Sequence, residues 1–406
     1  MRVDGEAMRA DFEALAAIGA TAEGGVDRPA LGVADLAARA WFLERAAAAD
    51  LETRVDPAGN HSALLGPANA PTLLLGSHLD SVPRGGRYDG ALGVVAALHV
   101  LLAVQAAALE LPVTLEAIDS TDEEGALVGL LGSEALAGTL STETLAAPRG
   151  GRGALLAGLD RAGLQEERLA EARRDPASLA GYLELHIEQG PALERDGVQI
   201  GVVTGIVGAR SFSLGFRGRA NHAGTTPMAA RSDAGVAAAA FMLAVEETVV
   251  RDFPGCVATV GDLHLEPGAF NVIPGAARLA LEFRALADDR LDALETALLT
   301  CARDEATARG IGLDVTPVGR WEPTLLDPAA QTAIRRAAAA LELSLVDMPS
   351  GAGHDAQALA GITRSGMIFV PSVAGVSHDP AERTEWQDCV NGANVLLGAA
   401  LELARG

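Results

Sequence analysis

Apolar and polar positions repeat with two different periods along this chain, and the changes from one period to the other outline its elements. Residues 5–18 and Val33 to Ala49 carry apolar side chains at helical spacing and are expected to form amphipathic helices. Leu51 to Val55, Ser62 to Leu65 and Thr72 to Leu75 are short runs, with the turn Asp56-Pro57-Ala58-Gly59-Asn60 among them, and are expected to be strands. Ala91 to Leu109 is nearly continuous Ala, Leu and Val, broken by Gly93, His99 and Gln105. Its length would permit a membrane span. Its high alanine content and the charged turn before it favour a buried helix over 91–108 instead. A strand over 112–118, an acidic turn over 119–125, a helical segment over 126–137 and a longer helical stretch ending near Arg174 follow. Tyr182 to Gly190 then alternates as a strand.

From about Val207 the texture changes. Ser211 to Phe216 alternates, Asp233 to Val249 is helical, and strands recur at Cys256 to Leu265 and Arg278 to Arg284. A helix over 289–308 and a strand near Leu313 to Thr316, stopped by Pro317, complete a βαββαβ set. Helical 327–341, a strand at Met367 to Val370 and a last helix near 390–404 return to the first pattern. The expected architecture is α/β, a mostly parallel sheet with helices on both faces built from 1–207 and 325–406. An α+β, ferredoxin-like unit is inserted at 208–324. Ligands of such sheets collect at the carboxyl ends of strands, where His78 and Glu123 fall.

Composition narrows the function. With 406 residues, 49% hydrophobic and 21% charged, the chain has the make-up of a globular protein large enough for two domains. A net charge of -23 argues against a nucleic-acid partner. All 31 basic residues are arginine, which removes Schiff-base and P-loop lysine chemistry. Cys256, Cys301 and Cys389 are odd in number and widely spaced, so they read as small buried hydrophobes. The N-terminal stretch carries charges throughout and has no apolar core of a secretory signal, so a cytoplasmic location is expected, with no membrane partner.

The chemistry centres on His78-Leu79-Asp80-Ser81-Val82-Pro83-Arg84-Gly85-Gly86-Arg87-Tyr88-Asp89-Gly90. Positions two apart in an extended segment share a face, so Asp80 is placed to reach the His78 ring and fix its tautomer. Asp89 can turn back past Gly85-Gly86 to the same point as a bridging carboxylate, or it can cap the following helix. Asp119 to Gly125 is either a solvated turn or a pair of working carboxylates, with Glu124 on a metal and Glu123 free to take a proton. His186 and His378 each follow an apolar strand pattern. Several ligands at strand ends converging on one point would make a metal site.

Together these segments resemble the amidase, hydantoinase/carbamoylase family. The carriers are GSHLDSVPRGGRYDGALGV (76–94), TDEEG with GLLGS (121–133), ELHIEQGPALE (184–194), GRANHAGTTPMAARSDA (218–234), PGAFNVIPG (267–275), SGAGHDA (350–356) and FVPSVAGVSH (369–378). The resemblance implies a dinuclear metal amidohydrolase of the aminoacylase/carboxypeptidase superfamily. One ion would be held by His78, Asp89 and His186, and a second by Asp89, Glu124 and His378. His and carboxylate donors suit zinc, manganese, cobalt or nickel.

Glu123 would be the general base and Asp80 the orienter of His78. Gln189, His222, Asn271, Arg284 and Gly353 match the family's substrate positions, His222 stabilising an oxyanion and Arg284 a carboxylate. The resemblance also implies a homodimer, in which the inserted unit gives His222, Asn271 and Arg284 to the neighbouring subunit's site. From its residues alone Arg284 reads as a salt-bridge partner. His354 reads as structural, and His61, His99 and His264 as ordinary residues.

The implied reaction is hydrolysis of an N-carbamoyl-L-amino acid, a small ureido substrate with a carboxylate, to amino acid, CO2 and ammonia. Allantoate amidohydrolase and β-ureidopropionase are the near alternatives. An aminoacylase or exopeptidase is a more distant one, and a catalytically inactive binding protein the non-enzyme one. Ala126-Leu127-Val128 after the Glu-Glu-Gly, and Glu282 two residues before Arg284, depart from the family pattern on the substrate side.

Overall fold

In the computed structural model, which describes residues 1–405, the apolar runs become strands that collect into two sheets. In chain order the strands are β1 (Glu52–Val55), β2 (His61–Leu65), β3 (Thr72–His78), β4 (Thr114–Ser120), β5 (Leu179–Ile187), β6 (Ile200–Ile206) and β7 (Gly208–Arg217). They continue as β8 (Val257–Glu266), β9 (Ala276–Ala285), β10 (Gly312–Trp321), β11 (Thr324–Leu325), β12 (Leu345–Ser350) and β13 (Ser365–Val370). The chain divides into Met1–Thr204 with the segment beginning at Leu326, and Gly205–Leu325.

The larger sheet has the order β1-β2-β4-β3-β5-β13-β6-β11, with β12 pairing β6. Its centre, β4-β3-β5-β13, is parallel. Antiparallel pairs flank it on both sides. The central strands β3, β4 and β13 are covered on both faces, as in parallel sheets generally; β3 and β13 are largely apolar, while β4 also carries the buried acids Glu116 and Asp119. The helix Ala91–Ala106 is the most deeply buried and packs on β3, β4 and β5. Gly93 permits that approach, since a Cβ there would stand 2.4 Å from the Leu185 carbonyl oxygen. Among the described residues no helix is long and apolar enough to cross a membrane.

The smaller unit has the strand order β10-β7-β9-β8, all antiparallel. With the helices Ala234–Asp252 and Asp288–Ala308 it realises the βαββαβ pattern. Its core joins Phe212, Phe216, Phe241 and Phe283 with Leu294 and Leu298, and Phe212 and Phe283 stack with centroids 5.9 Å apart.

Three expectations are corrected. The helix expected over 126–137 begins only at Leu131, because the Asp122 carboxylate accepts the N–H groups of Leu127, Val128 and Gly129 and ties that backbone into a loop. The helical stretch toward Arg174 is broken into Thr142–Ala146, Arg152–Ala162 and a 3-10 segment Glu166–Ala172, with Gly151 and Gly163 at positive φ between them. Pro317 does not stop β10, which continues to Trp321. A register shift follows Pro317, and β10 is a sheet edge, where a missing N–H is tolerated.

One buried ion-pair network steadies the strand end beneath the site. Arg39 and Asp35 are both fully buried. Arg39 Nε donates to both Asp35 oxygens, at 3.0 and 2.9 Å, and its other nitrogens donate to the Gly59 and Ser120 carbonyls and to Thr121 Oγ1. Breaking a buried pair from one side leaves an uncompensated charge, a cost of about 3–5 kcal/mol. Arg39→Met is therefore expected to lower the thermal midpoint sharply. Adding Asp35→Leu should recover part of the loss.

Candidate metal centre

The parallel core delivers its side chains to one place. His78 is the last residue of β3 and pairs in register with Ser120, the last of β4. His186 is the penultimate residue of β5 and pairs with Phe369 of β13. The acidic turn begins directly after β4, and the loop bearing His378 comes after β13.

Asp89 lies at the centre of these groups and is almost fully buried. Its Oδ1 is 3.0 Å from His186 Nε2 and 3.6 Å from His78 Nε2. Its Oδ2 is 3.3 Å from His378 Nε2, which is 3.5 Å from Glu124 Oε2. Glu123 Oε2 stands 3.6 Å from His78 Nε2. The donor atoms of His78, Asp89 and His186 lie within 4.8 Å of one another, and so do those of Asp89, Glu124 and His378. The helix-cap alternative for Asp89 is not realised: Gly90 is the N-cap and no side chain bonds there. Gly90 has φ 63°, and a Cβ on it would meet the His78 ring at 2.4 Å.

Both buried imidazoles are oriented by carbonyls. His78 Nδ1 donates to the Asp80 carbonyl oxygen at 3.0 Å and His186 Nδ1 to that of Ile187 at 2.9 Å. A carbonyl can only accept, so Nδ1 carries a proton in each ring, and Nε2 is the ring nitrogen that faces Asp89 and that a cation could use. Asp80 thus meets the His78 ring through its main-chain carbonyl. Its carboxylate, 3.7 Å from His78 Nδ1, accepts instead the N–H groups of Glu123 and Glu124 at 3.2 and 3.3 Å. The extended geometry ends at His78, so the two-residue rule no longer applies beyond it. Asp80 holds the carboxylate turn, and its main chain holds the ring.

The electrostatics of the protein's own groups favour a cation. Burial, then the neighbouring Glu124, pushes Glu123 well above the usual carboxylate range. Burial and Asp89 raise Glu124 to about 8. Asp89 is held well below the usual range; the charge and hydrogen bond of His186 and the hydrogen bond of His378 overcome its burial. His186 and His378 both rise to about 9, His186 through Asp89 against burial and His378 chiefly through its hydrogen bond to Asp89. His78 falls to about 4, because burial outweighs the one carboxylate it shares. Glu124 Oε1 is buried with no hydrogen-bond partner among the described residues. Two His-and-carboxylate sets sharing one aspartate, with an orphaned buried carboxylate oxygen, fit two divalent cations.

A third grouping, Glu184, His186 and His354, also lies within reach of one ion, but its atoms are already committed. Glu184 accepts from Ser77 Oγ and the Ala356 N–H, and His354 Nε2 meets Ser350 Oγ at 2.8 Å. His354 packs edge-on against His186, with centroids 4.6 Å apart, as a supporting residue. His99 pairs with Asp11 and His61 contacts Arg39 and Gly59, both away from the cluster.

Of the remaining candidates, Gln189 joins the cluster directly. Its Nε2 donates to Asp89 Oδ2 at 2.8 Å while its Oε1 is buried without a partner among the described residues. Gly353 is exposed just before His354. In the smaller unit His222 and Asn271 are neighbours, with the Ala223 N–H donating to the Asn271 carbonyl and His222 bridging to Val272. Both are exposed. Arg284 projects from β9, and its Nε and Nη2 donate to Glu282 Oε1 at 2.9 and 2.8 Å. Two residues at the cluster were not anticipated, Ser377 and Glu382, which bond the Asp89 carboxylate and backbone.

Residues 74–402 match the peptidase family M20/M25/M40. The chain belongs to that family. Every candidate residue named above for the metal cluster lies in the matched span of this M20 chain. The chain is 38% identical, over all of both sequences, to an N-carbamoyl-L-amino acid amidohydrolase of Geobacillus stearothermophilus. It is 33% identical to an allantoate deiminase of Arabidopsis thaliana, over 90% of this chain and 75% of that protein. A crystal structure of a hydantoinase/carbamoylase family amidase from Burkholderia multivorans superposes with a TM-score of 0.92 at 34% identity, covering 100% of this chain and 99% of the other. The resemblance to the hydantoinase/carbamoylase amidases therefore holds over the whole M20 fold.

Proposed function

We propose that this protein is a metal-dependent amidohydrolase that cleaves the carbamoyl C–N bond of N-carbamoyl-L-amino acids, giving amino acid, CO2 and ammonia. The observation that carries the reading is the division of Asp89, one oxygen toward His78 and His186 and the other toward His378, beside Glu124. The end-to-end likeness to the Geobacillus stearothermophilus amidohydrolase supports the substrate class. The likeness to the Arabidopsis allantoate deiminase supports a second reading, allantoate.

His78, Asp89 and His186 would hold one ion, and Asp89, Glu124 and His378 the other. Divalent ions bound there would polarise the ureido oxygen and lower the pKa of the attacking water from about 15.7 toward about 7. Glu123 then serves as general base: its carboxylate takes a proton from that water and returns it to the leaving nitrogen as the C–N bond breaks. The carbamic acid formed decomposes to CO2 and ammonia. Asp80 keeps Glu123 in place through the backbone bonds described above. Gln189 and Gly353 contribute to substrate binding, His222 stabilises the developing oxyanion, and Asn271 and the planar fork of Arg284 receive the substrate carboxylate. The Glu282 contact holds that fork from one edge.

Turnover of N-carbamoyl-L-amino acids, 3-ureidopropionate, allantoate and N-acetyl-amino acids, with Mn2+ or Zn2+ supplied, tests the substrate. Preference for the first is expected. Turnover of allantoate alone selects the second reading, and of N-acetyl compounds alone rejects both.

The working unit proposed is a homodimer in which His222, Asn271 and Arg284 serve the neighbouring subunit's site. Mixed subunits carrying Glu123→Gln and His222→Ala, each inactive alone, are then expected to recover about one quarter of wild-type activity after exchange, since half the dimers are hybrids and each hybrid has one complete site. No recovery despite demonstrated exchange contradicts the shared site.

A further inference from the structure

Glu382 lies outside the sequence motifs that carry the other cluster residues, four residues past His378, yet it is only 4% exposed and its bonds go to the cluster. Oε1 accepts the N–H groups of Tyr88 and Asp89 at 2.9 and 3.1 Å. Oε2 accepts Ser377 Oγ at 2.9 Å, and the same hydroxyl stands 3.1 Å from Asp89 Oδ2. One carboxylate thus ties together the two loops that bear Asp89 and His378. The fit is close, because a Cβ on Gly86 would fall 2.0 Å from Glu382 Cδ.

The two candidate ion positions are not equally well anchored. His78 and His186 stand in strands of the parallel core and are nearly fully buried. His378 stands in an irregular loop with its side chain half exposed and its backbone at φ 57°. In the Asp89, Glu124 and His378 set, the spacing of Asp89 Oδ2 and His378 Nε2, 3.3 Å, depends on how the 85–90 and 377–382 loops sit against each other. The Glu382 bonds described above are what fix that. We propose that Glu382 is a positioning residue that selectively builds the ion position formed by Asp89, Glu124 and His378, by clamping the Asp89 loop to the His378 loop. This rests on the metal-dependent reading of the cluster.

The residue type is specific. A glutamine can still accept both N–H groups with its carbonyl oxygen, and its amide can donate to Ser377 Oγ, leaving the hydroxyl to donate to Asp89. Alanine leaves the two N–H groups without their acceptor and the Ser377 hydroxyl with Asp89 Oδ2 alone, and aspartate is shorter by one methylene.

The test is metal analysis and Mn2+ titration of the full chain, wild type against Glu382→Ala and Glu382→Gln, with thermal midpoints measured after exhaustive chelation. The wild type is expected to bind about two ions per chain. Glu382→Ala should retain the tighter ion and bind the other about 10- to 100-fold more weakly. Glu382→Gln should recover most of that loss and, when chelated, unfold at a temperature similar to that of the chelated wild type. Two ions bound with unchanged affinities by Glu382→Ala, or both weakened equally with a lower chelated midpoint, overturns the inference and leaves the metal-dependent reading intact. A wild type that binds no divalent ion overturns the reading itself.

Discussion

Glu123→Gln is expected to lower kcat by at least about a hundredfold, toward ten-thousandfold, while metal content stays at the wild-type level. The carboxylate is not part of either His-and-carboxylate set sharing Asp89, so its charge is dispensable for ion binding and its basicity is not. It is buried beside Glu124 with Asp80 holding its main chain, and it stands 3.6 Å from His78 Nε2. Glutamine keeps the shape and the backbone contacts and removes only the site of protonation. Steady-state rates with metal analysis of the same preparation check this. A variant that keeps wild-type kcat removes Glu123 from the role of base.

Asp89→Asn is expected to have a broader effect, because both candidate ion positions use this side chain. The amide nitrogen cannot accept, so one of the two positions loses a ligand outright and the other loses the negative charge opposite its imidazoles. Loss of a supporting residue beside a metal costs about 10–100-fold in affinity. Loss of the shared ligand should exceed about 100-fold for at least one ion. Activity should fall below detection, and the variant should still fold, since a buried charge is removed and no cavity is made. Circular dichroism and metal analysis separate these outcomes; two tightly bound ions in Asp89→Asn would exclude Asp89 as the bridge.

The clustering of the candidate site was in large part legible in the sequence because its residues sit at ends of regular elements. His78, Glu123, Glu124 and His186 follow or close runs whose period marks them as strands, and the parallel core brings those ends together. What could not be read is what depends on irregular backbone. Asp80 lies two residues past the end of β3, where extended spacing no longer governs direction, so its carboxylate turned to the Glu123 and Glu124 N–H groups. The loop over 126–130 has the composition of a helix and is held open by Asp122, a contact that no local propensity encodes. Glu382 sits in a polar stretch with Asp379, Arg383 and Glu385, indistinguishable by type from a solvated acid. Its partner Tyr88 is 294 positions away.

The departure at Glu282 also acquires a physical meaning. Ser211 Oγ lies 3.2 Å from its Oε2, and its Oε1 accepts from Arg284, so the longer acid bonds its neighbour on the same strand. Residues two apart on β9 share a face, which is why this pair forms at all.

The central claim is that the Asp89 cluster binds divalent ions to hydrolyse a carbamoyl group. Its most direct test is ammonia release from an N-carbamoyl-L-amino acid by chelated protein titrated with Mn2+ or Zn2+. No turnover is expected before addition, then a rise with added ion that levels off near about two equivalents per chain, and the same titration without turnover for Glu123→Gln. Full turnover by the thoroughly chelated protein, or none at any ion concentration with ions demonstrably bound, would contradict it.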